Sequence, residues 1–201
     1  SMNLFLFMAI AFLVMIPNAL VASGDAETGR VKSQACAGCH GIDGNSNSGG
    51  FPSLAGQVSG YISGQLEAYK SGKRKNAIML GMAQALSSND MADIDAWYAS
   101  QKVKRRLVTE EDLILAKQGE SLYRGGAVEL SIPACMACHG PAGRGIPSNY
   151  PRVSGQWSEY LEAQLLAFKS GDRVNKVMNP ISHRLSSAQI KALSMYMSAL
   201  K

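Results

Sequence analysis

The sequence Cys36-Ala-Gly-Cys39-His40 occurs a second time, with two changes, as Cys135-Met-Ala-Cys138-His139. These two stretches hold all four cysteines and two of the three histidines of the 201-residue chain. They are separated by 99 residues. The chain therefore presents one arrangement of thiols and imidazole twice, at a distance typical of whole domains rather than of one compact site.

Two cysteines separated by two residues can hold zinc, form a redox-active dithiol or attach haem c. Zinc ribbons place the second pair about 15–20 residues after the first, and a thioredoxin-like dithiol needs a βαβ context that this sequence lacks. Cys-x-x-Cys-His is the attachment sequence of haem c, in which both thiols bond to the porphyrin and the histidine binds its iron. The sequence predicts two covalently bound haem c groups. The expected attachment residues are Cys36, Cys39 and His40 for one group, and Cys135, Cys138 and His139 for the other.

The repeat extends well beyond the two motifs. Between residues 36 and 88, 22 of 53 positions are identical to the residue 99 positions later, without a gap. The one change in length lies upstream, because Gly29 precedes Cys36 by 7 residues whereas Gly119 precedes Cys135 by 16. Such an internal repeat predicts two homologous domains. We place them at 24–101 and 102–201, and the second range begins with the basic linker Lys102-Val-Lys-Arg-Arg106.

Both predicted domains are helical. Apolar residues follow helical spacing over 61–71, and no stretch alternates with the period of two that strands require. Polar residues with capping-box spacing predict helix starts at Ser87, Thr109 and Ser186. The predicted fold class is therefore all-α, with two tandem domains.

Each predicted haem still needs a sixth iron ligand. The first domain has no second histidine, so its candidates are methionines, and only Met79 and Met178 occupy the same register, each 43 residues after the first cysteine of its motif. A histidine–methionine pair raises the haem potential and leaves iron no open position. We interpret His183 as a surface residue. We interpret the remaining methionines of the two domains as core residues: Met82, Met91, Met195 and Met197.

At this point the sequence resembles the dihaem cytochrome c4 family of bacterial electron carriers. The resemblance covers residues 24–201, and its clearest stretches are 36–45, 51–57, 79–82 and 150–156. It implies two class I cytochrome c domains packed about a pseudo-twofold axis, with the first methionine of Met79-Leu-Gly-Met82 as the ligand. It also implies that the carbonyls of Pro52 and Pro151 accept a hydrogen bond from the haem histidines, although each proline could equally only shape a turn.

The family resemblance implies a function as well as a fold. Its members carry electrons from a quinol-oxidising complex to a terminal oxidase, often of the cbb3 type, and they turn over no small-molecule substrate. The dihaem subunit of a flavocytochrome c sulfide dehydrogenase resembles the same fold and stays an alternative. A dihaem enzyme such as a peroxidase or thiosulfate dehydrogenase is less favoured, because it needs an unusual ligand and every cysteine here is already assigned.

The N-terminus is apolar without interruption from residue 4 to 16, and no charge occurs before Asp25. An apolar run followed by Val21-Ala22-Ser23 is typical of a secretory signal peptide. A helix over 4–22 would also be about 28 Å long, close to the thickness of a bilayer core. We therefore expect a periplasmic protein whose residues 1–23 are either a cleaved signal or a hydrophobic helix that anchors it to the membrane.

Charge is distributed unevenly between the two domains. Residues 24–101 carry 6 basic and 7 acidic side chains, whereas residues 102–201 carry 14 and 8. Such a dipole can orient a carrier before it touches its partner, although the basic residues could equally form only a solvated surface. The overall charge of +5 is modest and no nucleic-acid motif occurs, so a nucleic-acid partner is not expected.

Overall fold

The computed structural model describes residues 24–200, and the described part is helical. Its α-helices are Ala26–Lys32 (α1), Ala37–His40 (α2), Tyr61–Lys70 (α3), Ala77–Gln84 (α4), Ser88–Ser100 (α5), Glu110–Gly125 (α6), Met136–His139 (α7), Ser158–Ser170 (α8), Met178–Arg184 (α9) and Ser187–Ala199 (α10). Within residues 24–200 the only β-type pairing is at isolated bridges. The all-α prediction is therefore confirmed. The predicted N-terminal hydrophobic helix lies in residues 1–23, outside the described residues.

The three predicted capping boxes are present. The side chains of Ser87, Thr109 and Ser186 accept from the backbone N–H three residues on, and the side chain at that third position accepts in return. Each box satisfies two of the N–H groups that a helix start leaves free. These helices therefore begin where their local sequence dictates.

Within residues 24–200, no helix is both long and apolar enough to cross a bilayer.

Each domain closes by packing its first helix against its last. α1 contacts α5, and α6 contacts α10. The contact needs glycine, because a Cβ on Gly29 would lie 1.9 Å from the carbonyl oxygen of Asp93, and one on Gly119 would lie 2.3 Å from that of Ala192. Asp93 and Ala192 are themselves 99 residues apart. The two glycines are therefore equivalent. Of the nine extra residues of the second domain, three lengthen α6 and six lie in the loop that follows it, which contains the 3₁₀ segment Val128–Leu130.

Replacing Gly119 with alanine should lower the free energy of unfolding by about 2–3 kcal/mol, because the added methyl group meets backbone rather than a side chain that can move away. Gly125→Ala is the matched control on the same helix, since a Cβ there would have no atom within 4 Å. We expect that control to keep its stability or gain up to about 1 kcal/mol. Urea unfolding of the haem-loaded protein measures both, and equal stability of the two variants would contradict this account of the helix crossing.

The two domains dock through reciprocal hydrogen bonds that obey the 99-residue repeat. Gln57 Oε1 accepts from the backbone N–H of Arg152 at 2.6 Å, and Gln57 Nε2 donates to the Arg152 carbonyl at 3.2 Å. Gln156 makes the same two bonds to Ser53, at 2.9 and 2.8 Å. Each glutamine thus pairs with the backbone of the opposite domain as a neighbouring strand would. The exchange shows the pseudo-twofold relation of the two domains.

The basic segment 102–106 crosses this interface as an ordered strap. Asn45 Nδ2 donates to the Lys102 carbonyl at 2.9 Å, and Asn45 Oδ1 accepts from the Lys104 N–H at 2.8 Å. The Arg106 guanidinium then stacks 3.6 Å above the ring of Trp157 in the second domain. The strap is therefore held by both domains, which fixes their relative orientation.

Candidate functional site

One large cavity runs across the domain interface and joins the two motifs. It has a volume of about 1640 Å³, and residues of both domains line it. The predicted attachment and ligand residues among its lining are Cys36, Cys39, His40, Met79, Cys135, Cys138, His139 and Met178. A single drug-sized ligand fills roughly 300–1,000 Å³. The cavity is thus large enough for two bulky groups held side by side, one in each domain.

The two motif histidines are held in equivalent positions. His40 Nδ1 is 2.8 Å from the Pro52 carbonyl oxygen, and His139 Nδ1 is 2.9 Å from that of Pro151. The expected proline–histidine hydrogen bonds are therefore confirmed. A proton held on Nδ1 by this bond leaves Nε2 as the nitrogen free to bind a metal.

Burial adjusts the protonation of both histidines in the direction that metal binding needs. Desolvation lowers the pKa of His40 and of His139, and the proline carbonyl offsets only part of this effect. Each imidazole is therefore neutral at physiological pH, and the neutral ring is the form that binds iron. An aromatic ring stands edge-on to each, Phe51 at 6.3 Å from His40 and Tyr150 at 6.5 Å from His139.

All four cysteines line the cavity, and within the described residues none of them forms a disulfide. Burial raises the pKa of the Cys36 thiol, and it raises the pKa of the Cys135 thiol to about 11. These two thiols are consequently protonated at neutral pH, which does not suit a dithiol poised for redox exchange. Their place on one short turn before each histidine suits bonding to a flat group that spans both sulfurs.

Met79 and Met178 lie in the first turn of the short helices α4 and α9, and both line the cavity. Asn76 Oδ1 accepts from the Met79 N–H at 2.9 Å, and Asn175 Oδ1 accepts from the Met178 N–H at 2.9 Å. These asparagines are also 99 residues apart. An asparagine three residues upstream therefore holds the backbone N–H of both methionines in the same way.

The other methionines were predicted to be core residues, and His183 was predicted to lie at the surface. Met91 and Met197 are buried core residues, as expected, and Met195 packs against the core. Met82 is an exception, because it is 39% exposed and lines the cavity, so its interpretation as a core residue is wrong. The reason is that α4 contributes Ala83 rather than Met82 to the core. His183 is exposed at a separate, shallow surface cavity, as a surface residue should be.

A cluster of arginine, glutamine and tyrosine side chains lies in the cavity wall at the pseudo-twofold axis. Arg74 donates to Gln164 Oε1 at 2.8 Å, and Arg173 donates to Gln65 Oε1 at 2.9 Å. Each arginine also donates to a tyrosine hydroxyl of the other domain, Tyr160 or Tyr61. Half-buried guanidinium groups in a wall shared by both halves would suit the carboxylates of two haems.

The side chains that line this cavity are those that haem c attachment requires. Each half supplies two thiols on one turn, a neutral imidazole with one nitrogen oriented by a carbonyl, and a thioether. Among the described residues, no three or more histidine, cysteine, aspartate or glutamate side chains are grouped so as to hold a bare metal ion. The described residues therefore hold the donor set that two haem groups need.

The sequence analysis did not identify the interface residues or the buried tyrosines. The interface residues Gln57, Tyr61, Gln65 and Arg74 are all identical in the second copy. These polar residues recur in both copies although the haem sites do not require them. That repetition could have indicated an interface, since a symmetric interface uses the same residue from both halves. Tyr98 and Tyr123 left no such signal, because no tyrosine stands 99 residues from either.

Comparisons with known proteins agree with this site. The cytochrome c family model matches residues 26–102 and 116–201. Cytochrome c4 of Pseudomonas aeruginosa is 42% identical over 184 residues, covering 89% of this chain and 90% of that protein. The crystal structure of reduced cytochrome c4 from Pseudomonas stutzeri matches with a TM-score of 0.83 at 40% identity, covering 89% of this chain and all of that one. A thiosulfate dehydrogenase electron acceptor of Thiomonas intermedia is 34% identical, covering 84% of this chain and 79% of that protein.

The family assignment rests on three findings. The family model matches two cytochrome c domains, both domains line one cavity, and the relatives are similar to this chain over most of their length. The similarity extends over both domains and most of the chain, so it is not confined to one motif or one domain. The chain belongs to the cytochrome c4 family of dihaem electron carriers, and it is a carrier of two covalently bound haem c groups rather than an enzyme.

Proposed function

We propose that this chain carries electrons in the periplasm from a quinol-oxidising complex to a terminal oxidase of the cbb3 type. The observation that carries the proposal is the single cavity, in which both haem sites open toward each other across the domain interface. Two redox centres enclosed in one fixed scaffold suit a carrier that accepts an electron at one end and passes it on at the other. When bound, each haem iron supplies a reversible one-electron couple.

We assign the iron ligands within this proposal as His40 with Met79 and His139 with Met178. Three observations support the assignment. All four residues line the cavity, each methionine N–H donates to an asparagine three residues upstream, and the two ligand sets are 99 residues apart. The proline carbonyls keep each imidazole in one orientation, and the sulfurs of Met79 and Met178 would bind the irons and leave no free position for a substrate. We likewise take 24–101 and 102–201 as the two domains, with the strap at 102–106 belonging to the second.

The uneven charge supports a partner with an acidic surface. The second domain carries 14 basic and 8 acidic side chains over 102–201, so it would face that partner, while the first domain faces a different one. A charge dipole steers encounter over distances longer than a contact. The carrier would thus meet donor and acceptor with different ends.

Steering gives a direct expectation for ionic strength. The association rate constant with the oxidase should fall about tenfold as the Debye length shrinks from roughly 30 Å to roughly 8 Å on raising salt. Arg144→Gln on the exposed surface of the second domain should weaken this salt dependence, whereas Arg30→Gln makes the same charge change in the first domain and should not. Stopped-flow oxidation at several salt concentrations measures the slopes. A rate constant independent of salt would contradict steering.

A second candidate function follows from one of the relatives. A protein named as a thiosulfate dehydrogenase electron acceptor is 34% identical over most of this chain. The same carrier could therefore take electrons from a sulfur-oxidising enzyme instead of a quinol-oxidising complex. The dihaem subunit of a flavocytochrome c sulfide dehydrogenase is the related alternative, in which the electrons come from a bound flavoprotein.

Native mass spectrometry of the protein extracted from its own membranes in mild detergent tests these functions together. The respiratory proposal expects two haems and a bound oxidase or quinol-oxidising complex. A bound flavoprotein, or a bound thiosulfate-oxidising enzyme in place of the respiratory partners, would contradict it. The mass of the chain reports in the same spectrum whether residues 1–23 are retained, which decides between anchor and signal peptide.

A further inference from the structure

The two haem sites are related by the repeat, yet they differ in one buried tyrosine. Tyr98 lies on α5, and the residue 99 positions later on α10 is Met197. The second domain instead has Tyr123 on α6, and the glycine register makes Ser33 its counterpart, since Gly29 and Gly119 stand four residues before each. Each domain therefore has one tyrosine with no exposed surface where its first and last helices cross, on the last helix in the first domain and on the first helix in the second, where Tyr196 of α10 packs against it.

The two tyrosine hydroxyls have different surroundings. The Tyr123 hydroxyl donates to the Gly140 carbonyl at 2.7 Å, so its hydrogen-bonding capacity is used within the protein. Tyr98 is completely buried, and its hydroxyl has no hydrogen-bond partner within the described structure. Burying a hydroxyl without a hydrogen-bond partner costs free energy. We therefore expect the Tyr98 hydroxyl to have an acceptor in the haem-loaded protein.

The position of Tyr98 indicates what that acceptor is. Tyr98 lines the haem cavity, whereas the other buried groups without a partner, Trp97 Nε1 and the hydroxyls of Ser154 and Ser182, belong to residues outside its lining. Cys36 packs against the core cluster that contains Tyr98, and burial raises the pKa of the Tyr98 phenol, so the phenol keeps its proton as a donor. Ser33 is the other polar side chain near the phenol, but it makes no hydrogen bond with the Tyr98 hydroxyl in the described structure, and its own hydroxyl donates to the Arg30 carbonyl at 3.1 Å.

We propose that the Tyr98 hydroxyl donates a hydrogen bond to the haem-bound sulfur of Cys36 and so raises the potential of the first haem. The inference rests on the proposed attachment at Cys36. A thioether sulfur is a weak acceptor that a phenol can reach without competition from water in a closed wall. Donation toward the porphyrin stabilises the reduced, more electron-rich state, which is how hydrogen bonds near a haem tune it.

The second domain cannot make this bond. Met197 occupies the place of Tyr98 and has no O–H group, and Tyr123 is committed to Gly140. One hydrogen bond present in only one of two homologous sites would separate their potentials. Tyr98 is thus a residue that biases where a single electron resides, without contacting the iron.

Potentiometric titration of the haem-loaded Tyr98→Phe variant tests this directly. We expect one of the two midpoint potentials to fall, so that the equilibrium constant for the electron on the first haem over the second drops about fivefold, the effect of one hydrogen bond of ordinary strength. The other potential should stay in place. Tyr123→Phe is the matched control, because it removes a buried tyrosine hydroxyl of the second domain that already donates to the Gly140 carbonyl; it should reduce stability and leave both potentials unchanged.

Two further measurements make the outcome decisive. Ser33→Ala should leave both potentials unchanged, and a fall as large as that of Tyr98→Phe would assign the hydroxyl to Ser33 and overturn the proposal. Unchanged potentials in Tyr98→Phe, with two haems present by mass, would also overturn it while the haem attachment stands. Loss of one haem from the wild-type protein by mass would instead show that the attachment at Cys36 is wrong. The nuclear magnetic resonance shifts of the haem methyl groups identify which haem has moved.

Discussion

Replacing Met79 with alanine should lower the midpoint potential of the first haem by a large fraction of a volt and leave the second haem unchanged. Axial ligands set haem potentials over a range of roughly 0.8 V, and a thioether favours the reduced iron. Without the thioether, water or hydroxide would take its place, and the far-red absorption of a methionine–iron bond would disappear for one haem. Spectropotentiometric titration measures both changes, and Met178→Ala should reproduce them in the second haem.

Met82→Ala is the control that makes the Met79 experiment specific. Met82 lies on the same helix, three residues later, and it also lines the cavity. Its partner in the repeat is Ile181, which has no sulfur. We therefore expect Met82→Ala to keep two methionine-ligated haems. If Met82→Ala removed the far-red band and Met79→Ala did not, the ligand assigned from the repeat would be the wrong methionine.

The repeat predicted the residues whose chemistry must be present twice. Two thiols, one histidine and one methionine recur in register because each haem needs the same set, and the structure places all eight in one cavity wall. The capping boxes were equally predictable, because a helix start is satisfied by residues three positions apart. In both cases the physical cause acts within a short stretch of sequence or is repeated unchanged.

Features that depend on which surfaces meet could not be predicted in this way. Gln57 and Gln156 are visible as identities, but only the folded domains show that each binds the backbone of the other. Tyr98 and Tyr123 fall outside the register altogether, since one crossing of helices can be filled from either helix. The exposure of Met82 depends on which face of α4 turns toward the core, and a short helix with apolar residues on every side does not specify that face.

Replacing Gln156 with alanine should lower the free energy of unfolding by about 2–4 kcal/mol, because it leaves buried polar groups without partners. The side chain accepts from the Ser53 N–H at 2.9 Å and donates to the Ser53 carbonyl at 2.8 Å, and both of these bonds are buried. Its Oε1 also accepts from the Trp157 N–H at 3.0 Å. Alanine offers none of these groups a substitute. Chemical unfolding of the haem-loaded protein measures the loss.

The control for Gln156 is a glutamine that makes no such contacts. Gln118 lies exposed on α6, so Gln118→Ala should change stability by less than about 0.5 kcal/mol. The double variant Gln57→Ala, Gln156→Ala removes both halves of the reciprocal pair. Since the two domains have separate cores and are coupled through this interface, we expect that variant to unfold in two resolved transitions, where the wild type shows one. A single transition with wild-type midpoint would mean that the strap at 102–106 and the arginine cluster hold the domains together without the glutamines.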